Sequence, residues 1–195
     1  MEKSLPVYNM IIDTEGDSEL NFVSLVPNPA IEKNFLAFSD TQRFEVIEQQ
    51  DRKILSGPLM LADTPIYRRD DQLGEYNVMF DSENIYKAVQ KFFTKGYQAN
   101  VNLFHDMNVS GVTMFESWIV DSARGIAPMK GFEDAKDGSW FGSFIVNNEN
   151  VWNMVKSGQF KGFSIEGMFG MKRVVEEKAK GKLQQIRELL EKLES

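Results

Sequence analysis

The stretch GSWFGSFIVNNENVWNMVKSGQFKGFSIEG, residues 138–167, decides how the fold is interpreted. Aromatic and branched residues predict a strand over 139–146. A short helix is predicted over about 148–157, because Asn148 can cap its start and a glycine follows its end. The glycine-broken run 160–171 then has the composition of a strand again. A short helix between two strands indicates a mainly β fold.

The segments on either side extend this pattern. One further helix is predicted over about 82–95, with Asp81 or Ser82 as its cap and Gly96 at its end. Short strands are predicted at 5–12, 22–26, 44–48, 53–62, 76–80, 99–105 and 112–120. Many short strands with two helices predict an α+β, mainly β protein: a single closed or nearly closed β-barrel decorated by short helices.

The end of the chain has a different composition. Residues 1–172 are predicted to form the barrel domain, and residues 173–195 a charged helical tail. Four apolar residues of the tail follow a 3-4-3 spacing: Leu183, Ile186, Leu190 and Leu193. This spacing fits a short coiled-coil or scaffold-like segment, and it fits equally a solvated helix that docks one stripe on its own domain.

Composition excludes several function classes. The 195 residues include no cysteine and one histidine, so disulfides, thiolate chemistry and a structural zinc site are not expected. We predict no metal and no cofactor. The net charge of −7 argues against a nucleic-acid partner. No apolar run approaches the roughly 18 residues of a membrane span, so we expect a soluble intracellular protein without a membrane partner.

Two residues have the chemistry of a hydrolytic site. His105, the one histidine, follows an apolar strand and begins a polar turn, and its side chain is the natural general base of this chain. Ser164 lies between glycines in an apolar strand, where another backbone can approach closely. By pattern alone, each also fits an ordinary structural residue. A serine becomes nucleophilic only beside a base, so the two must meet in space.

Four stretches resemble one protein family. They are VSLVPNPAIEKNFLAF at 23–38, NLFHD at 102–106, ESWIVD at 116–121 and the opening run at 138–167. Together they resemble the XkdF-like phage serine proteases, the prohead maturation proteases, over about residues 20–170. GFSIEG after the tryptophan-containing helix is the most specific match. The family is similar in fold to the herpesvirus assemblin proteases.

The resemblance implies a function and its residues. Ser164 would be the nucleophile and His105 its base in a serine endopeptidase that processes phage scaffold and major capsid precursor proteins. The expected location is the host cytoplasm, inside the assembling prohead. Self-cleavage and assembly into a homodimer or higher oligomer are further expectations.

The third catalytic residue stays open at this point. A carboxylate should orient the histidine ring, and Glu116 is our first choice because strand 112–120 follows the His105 turn. Asp106, Asp121 and Glu166 are the alternatives. Backbone N–H groups at Arg124-Gly125 or at Lys172-Arg173 are candidate oxyanion donors.

A second function also fits the sequence. The acidic charge and the heptad-like tail suit a non-enzymatic capsid scaffold or assembly module as well as a protease. Processing of capsid precursors by the intact chain, and its loss on replacing Ser164, distinguishes the two.

Overall fold

The structure is a computed structural model of the protein. It describes residues 5–13, 15–29, 45–49 and 52–174. Within this part of the chain lie twelve strands and two α-helices. The strands are β1 (Val7–Ile11), β2 (Glu19–Val26), β3 (Glu45–Gln49), β4 (Arg52–Met60), β5 (Ile66–Asp70), β6 (Gly74–Met79), β7 (Val101–Leu103), β8 (Met107–Val109), β9 (Val112–Ile119), β10 (Trp140–Val146), β11 (Gly162–Met168) and β12 (Gly170–Arg173). The helices are α1 (Ser82–Thr94) and α2 (Glu149–Lys156), and single 3₁₀ turns occur at Tyr97–Ala99 and Ser122–Arg124.

The strands form three sheets of four strands each. Sheet 1 has the order β12-β1-β6-β5, sheet 2 has the order β3-β4-β10-β9, and sheet 3 has the order β11-β2-β7-β8. Most neighbouring strands are antiparallel, whereas β1 pairs parallel with β6, and β2 pairs parallel with β7. The mainly β, α+β class predicted from the sequence is therefore confirmed.

The predicted closed or nearly closed barrel is wrong, because the sheets of the described residues are open. Each sheet ends in two edge strands, and sheets 2 and 3 meet through side chains. Phe163 of sheet 3 packs on Phe144 of sheet 2 with 4.8 Å between ring centroids. The ring of Phe163 also lies over Gly57, where a Cβ would approach it to 3.3 Å. Among the described strands, none of sheet 2 is hydrogen-bonded to one of sheet 3, so the two sheets do not continue into a barrel.

The core lies between the sheets and is covered by the helices. Trp140 and Phe144 of β10 are fully buried, as is Phe92 of α1, whose ring centroid lies 5.6 Å from that of Trp140. Asp81 caps α1 by accepting a hydrogen bond from the Asn84 N–H at 2.8 Å. The apolar face of α1, which includes Phe92, is buried and packs against β2. This contact positions β2, which is one strand of the candidate site.

The end of the chain is only partly described. Arg173, the first residue of the predicted tail, still belongs to β12 and pairs with Tyr8 of β1. The predicted charged helix falls on residues 175–195, which lie outside the described residues. Among the helices that are described, neither has the length and apolar character needed to cross a membrane.

Candidate active site

His105 lies in a strained turn between β7 and β8. The turn is closed by the Asp106 N–H, which donates to the Leu103 carbonyl at 3.1 Å. Its two central residues, Phe104 and His105, have φ of 59° and 63°. Such a turn normally carries asparagine and glycine, and each bulky residue held there costs about 1–3 kcal/mol. Contact of the Phe104 ring with Phe160 helps to hold this conformation, which fixes His105 at the end of sheet 3.

Ser164 belongs to a polar row that crosses sheet 3. Ser164 of β11 is opposite Ser24 of β2, and Ser24 is opposite Asn102 of β7. Residues paired in this way project from the same face of a sheet. The adjacent pair, Phe163 and Leu25, points to the other face and is buried in the core. The strand alternation therefore places the three polar side chains on the face opposite the core. We call them the sheet-3 row.

Glu166 joins this row to the histidine. Being two residues beyond Ser164, Glu166 projects from the same face of β11. Its Oε1 accepts hydrogen bonds from His105 Nδ1 at 2.8 Å, from Asn102 Nδ2 at 2.6 Å and from Ser24 Oγ. Ser24 Oγ also lies 3.0 Å from His105 Nδ1 and 2.5 Å from Asn102 Oδ1. The result is a continuous polar network whose centre is one carboxylate oxygen.

The network keeps Glu166 ionised. Burial would raise the pKa of this carboxyl, but the hydrogen bonds from Ser24, Asn102 and His105 outweigh it and hold the pKa below its ordinary value. A carboxylate only accepts hydrogen bonds, so the bond to Glu166 requires a hydrogen on His105 Nδ1. In the neutral ring Nε2 is then unprotonated, which is the form of a general base.

Ser164 borders two cavities. An open, polar cleft of about 670 Å³ is lined by His105, Ser164 and Glu166. A more apolar cavity of about 220 Å³ shares Ser164, Arg68, Ile165 and Phe169 with the cleft. Because Ser24 is fully buried, Ser164 is the serine of the row that a ligand in the cleft can reach.

The predicted pairing of His105 with Ser164 stays a prediction. Both side chains line the same cleft. Within the part of the chain that the structure describes, no hydrogen bond joins Ser164 Oγ to the ring, since Nδ1 contacts Glu166 and Ser24 instead. Hydrogen bonds between catalytic groups often tighten only when substrate binds. The arrangement provides a serine, a base and a carboxylate on one face of one sheet.

Glu116, the first choice for the carboxylate, lies elsewhere. It belongs to β9 in sheet 2, and its carboxylate accepts a hydrogen bond from Ser143 Oγ at 2.6 Å. The register between β9 and β10 shifts at Phe115, so that Met114 pairs with Phe144 while Glu116 pairs with Ser143. The bulge reverses the strand alternation and turns Glu116 to the face opposite the core. The structure therefore brings Glu166, and not Glu116, to His105.

The other candidates from the sequence are also not at the ring. Asp106 closes the turn through its backbone, and Asp121 accepts a hydrogen bond from Arg124 Nε at 2.6 Å. Neither Arg124-Gly125 nor Lys172-Arg173 lines either of the two cavities that Ser164 borders. Over residues 5–13, 15–29 and 52–174, no group of three or more histidine, aspartate or glutamate side chains is arranged as a metal site.

Sequence reasoning missed Ser24 and Asn102. Each is a polar residue within an otherwise apolar strand, in FVSLV and in VNLF, and each is buried. Buried polar side chains nearly always have hydrogen-bond partners, so their positions were a usable signal for a polar network.

Comparison with known proteins identifies the family of the chain. A family model described as "Putative phage serine protease XkdF" matches residues 45–173, which is more than half of the chain. The chain belongs to this family. The matched segment contains Asn102, His105, Ser164 and Glu166, whereas Ser24 precedes it. Neither the curated proteins nor the solved structures contain a match to the chain, so the similarity of this XkdF-family chain to assemblin stays a prediction.

Proposed function

We propose that this XkdF-family chain is a serine endopeptidase with Ser164 as nucleophile, His105 as general base and Glu166 as the orienting carboxylate. The hydrogen bond of 2.8 Å between His105 Nδ1 and Glu166 carries the proposal. It fixes the ring tautomer in which Nε2 can take a proton, in a cleft that Ser164 borders.

Each group has a defined part in the reaction. Ser164 Oγ attacks the scissile carbonyl while His105 Nε2 takes the hydroxyl proton and then gives it to the leaving amine. Glu166 accepts from Nδ1 throughout and stabilises the imidazolium that forms. His105 then takes a proton from a water molecule, which attacks the acyl-enzyme carbonyl. The proton passes to Ser164 Oγ as the acyl product leaves. Asn102 and Ser24 hold the carboxylate in place through their hydrogen bonds to its Oε1.

The position of Ser164 also favours an extended substrate. Among the strands that the structure describes, β11 lies at an edge of sheet 3 and pairs with β2 alone. A substrate segment can add to such an edge as a further strand, which brings its backbone beside the serine. We propose scaffold and major capsid precursor segments as these substrates, cleaved inside the assembling prohead, where confinement raises their local concentration.

Co-expression with the phage's scaffold and capsid precursors tests this function. The intact chain should shorten at least one precursor, and the Ser164→Ala variant should leave all of them at full length. Ser143→Ala is the matched control, since Ser143 is likewise a buried strand serine, but it belongs to sheet 2 and lines neither cavity. Equal processing by the intact chain and by Ser164→Ala would reject the protease and favour a non-enzymatic assembly module.

A further inference from the structure

The apolar cavity beside Ser164 is continuous with the proposed active site. It lies on the face of sheet 1 where Ile66 pairs with Val78. Three methionines contribute to its wall: Met10, Met60 and Met171. Its volume of about 220 Å³ is ample for a large side chain, because an apolar cavity of about 150 Å³ already binds benzene. Methionine side chains adapt their shape, which suits a pocket for several apolar groups.

The position of His105 determines which side of the substrate can use this cavity. His105 must protonate the leaving amine, so the leaving half of the substrate passes over the histidine. The cavity shares Ser164 with the polar cleft, but His105 does not line it. The residue whose carbonyl is attacked then lies on the side of Ser164 away from the histidine, and the cavity that His105 does not line is the space available to its side chain.

Arg68 adds a charge at the mouth of the cavity. It projects from the same face of β5 as Ile66 and lines both the cavity and the cleft. Its Nη1 donates to the Tyr67 carbonyl at 3.0 Å, and no carboxylate of the described residues pairs with it. An unpaired guanidinium repels a lysine or arginine side chain that enters beside it.

We propose that this cavity is the acyl-side specificity pocket, which accepts large apolar side chains such as leucine, methionine or phenylalanine and excludes basic ones. This inference rests on the proposed protease function, because it assigns a side chain to the residue attacked by Ser164. The apolar wall provides the affinity, and Arg68 provides the discrimination.

Peptide diphenyl phosphonates that differ in one side chain test the pocket. In the reaction Ser164 Oγ forms a bond to phosphorus, and one phenoxide leaves and takes up the hydroxyl proton. Leucine and phenylalanine probes should label Ser164 at least about tenfold faster than alanine or lysine probes. Ile66→Trp should lower the labelling rates of the leucine and phenylalanine probes to about that of the alanine probe, because the indole fills the cavity. Arg68→Gln should speed the lysine probe.

Leu73→Trp is the matched control, since Leu73 is an exposed residue outside both cavities and receives the same added bulk. Its preference should equal that of the unmodified chain. Labelling of Ser164 without any preference for apolar probes would overturn the pocket and leave the protease intact. Failure of every probe to label Ser164 would instead overturn the proposed function.

A binding measurement tests the pocket without any reaction. In the Ser164→Ala variant, N-acetyl-phenylalaninamide should shift the NMR signals of the Met10, Met60 and Met171 methyl groups. The same signals should not move when Ile66→Trp is added. An absence of shifts in the first variant would overturn the pocket assignment whatever the labelling result.

Discussion

Two rows of buried polar residues cross the protein, and only one has the parts of an active site. In sheet 2, Ser56 donates to Ser143 at 2.9 Å, and Ser143 donates to Glu116 at 2.6 Å. We call these residues the sheet-2 row. In the sheet-3 row, Ser24 and Asn102 donate to Glu166, and Ser164 lies opposite Ser24. Buried serines bonded to a carboxylate are thus common to both.

What the sheet-3 row has in addition is a base and a cavity. The strained turn brings His105 to Glu166, and a cleft borders Ser164. In the sheet-2 row Glu116 has a serine as its partner, and neither Ser56 nor Ser143 lines the two cavities at Ser164. A serine and a glutamate satisfy each other structurally. The imidazole makes their arrangement chemically useful.

Replacing one serine in each row should give the largest contrast. Ser164→Ala should lower the rate of precursor cleavage by about 10³-fold or more, because it removes the attacking oxygen. Ser143→Ala removes a buried hydroxyl of the sheet-2 row and should leave the rate per folded molecule unchanged. Cleavage assays on folded, purified chains check both. A similar loss in both variants would mean that the rows do not differ in function.

Replacing the glutamate of each row should show the same contrast, with a large loss of cleavage at Glu166 and a small one at Glu116. Glu166→Gln keeps the shape of the side chain but removes the carboxylate charge that orients and stabilises His105, so cleavage should fall by about 10²-fold or more. Glu116→Gln should change the rate by less than about threefold, since Glu116 contacts Ser143 and not the ring. Steady-state kinetics measure the contrast. Loss with Glu116→Gln alone would restore Glu116 as the catalytic carboxylate.

Two glycines test how tightly each sheet is built. A Cβ at Gly167 would lie 2.1 Å from the Glu19 carbonyl oxygen, whereas a Cβ at Gly57 would lie 3.3 Å from the ring of Phe163. A backbone atom can move aside less easily than a side chain can. Gly167→Ala should therefore lower the free energy of unfolding by about 1–3 kcal/mol, and Gly57→Ala should lower it by less. Urea unfolding gives both values. Gly167→Ala should also slow cleavage by displacing Glu166.

The pH dependence of stability should show the smallest effect. The lowered pKa of Glu166 means that its ionised form stabilises the fold. This contribution is complete above the ordinary glutamate pKa of about 4.3, and it is lost as the pH falls through the lower pKa of the folded state. The difference in unfolding free energy between the unmodified chain and Glu166→Gln should therefore shrink as the pH falls below about 4.3. A difference that grows on acidification would contradict the network.

The helices and strands near the site could be predicted from the sequence, because the signals for them are local. Helix α1 follows from the cap at Asp81 and the glycine at Gly96, and its predicted range of about 82–95 is close to Ser82–Thr94. The strand at Ser164 and the turn at His105 follow from composition and alternation. The helix predicted over about 148–157 is likewise close to Glu149–Lys156.

What the sequence did not predict depends on contacts between distant strands. The bulge at Phe115 arises from the pairing of β9 with β10, and it alone turns Glu116 away from the face of Met114. The contact of Glu166 with His105 spans 61 positions and requires β7 to pair with β2. The division of the described strands into three open sheets likewise follows from pairings between distant strands. No local pattern encodes these registers.

The most direct test of the central claim is to identify the serine that reacts with di-isopropyl fluorophosphate. Mass spectrometry of the digested adduct should place the modification on Ser164, and His105→Ala should abolish it because the proton then has no acceptor. Ser24, which contacts the ring but is fully buried, should stay unmodified. An adduct on Ser24, or precursor cleavage by a chain whose Ser164 does not react, would contradict the account.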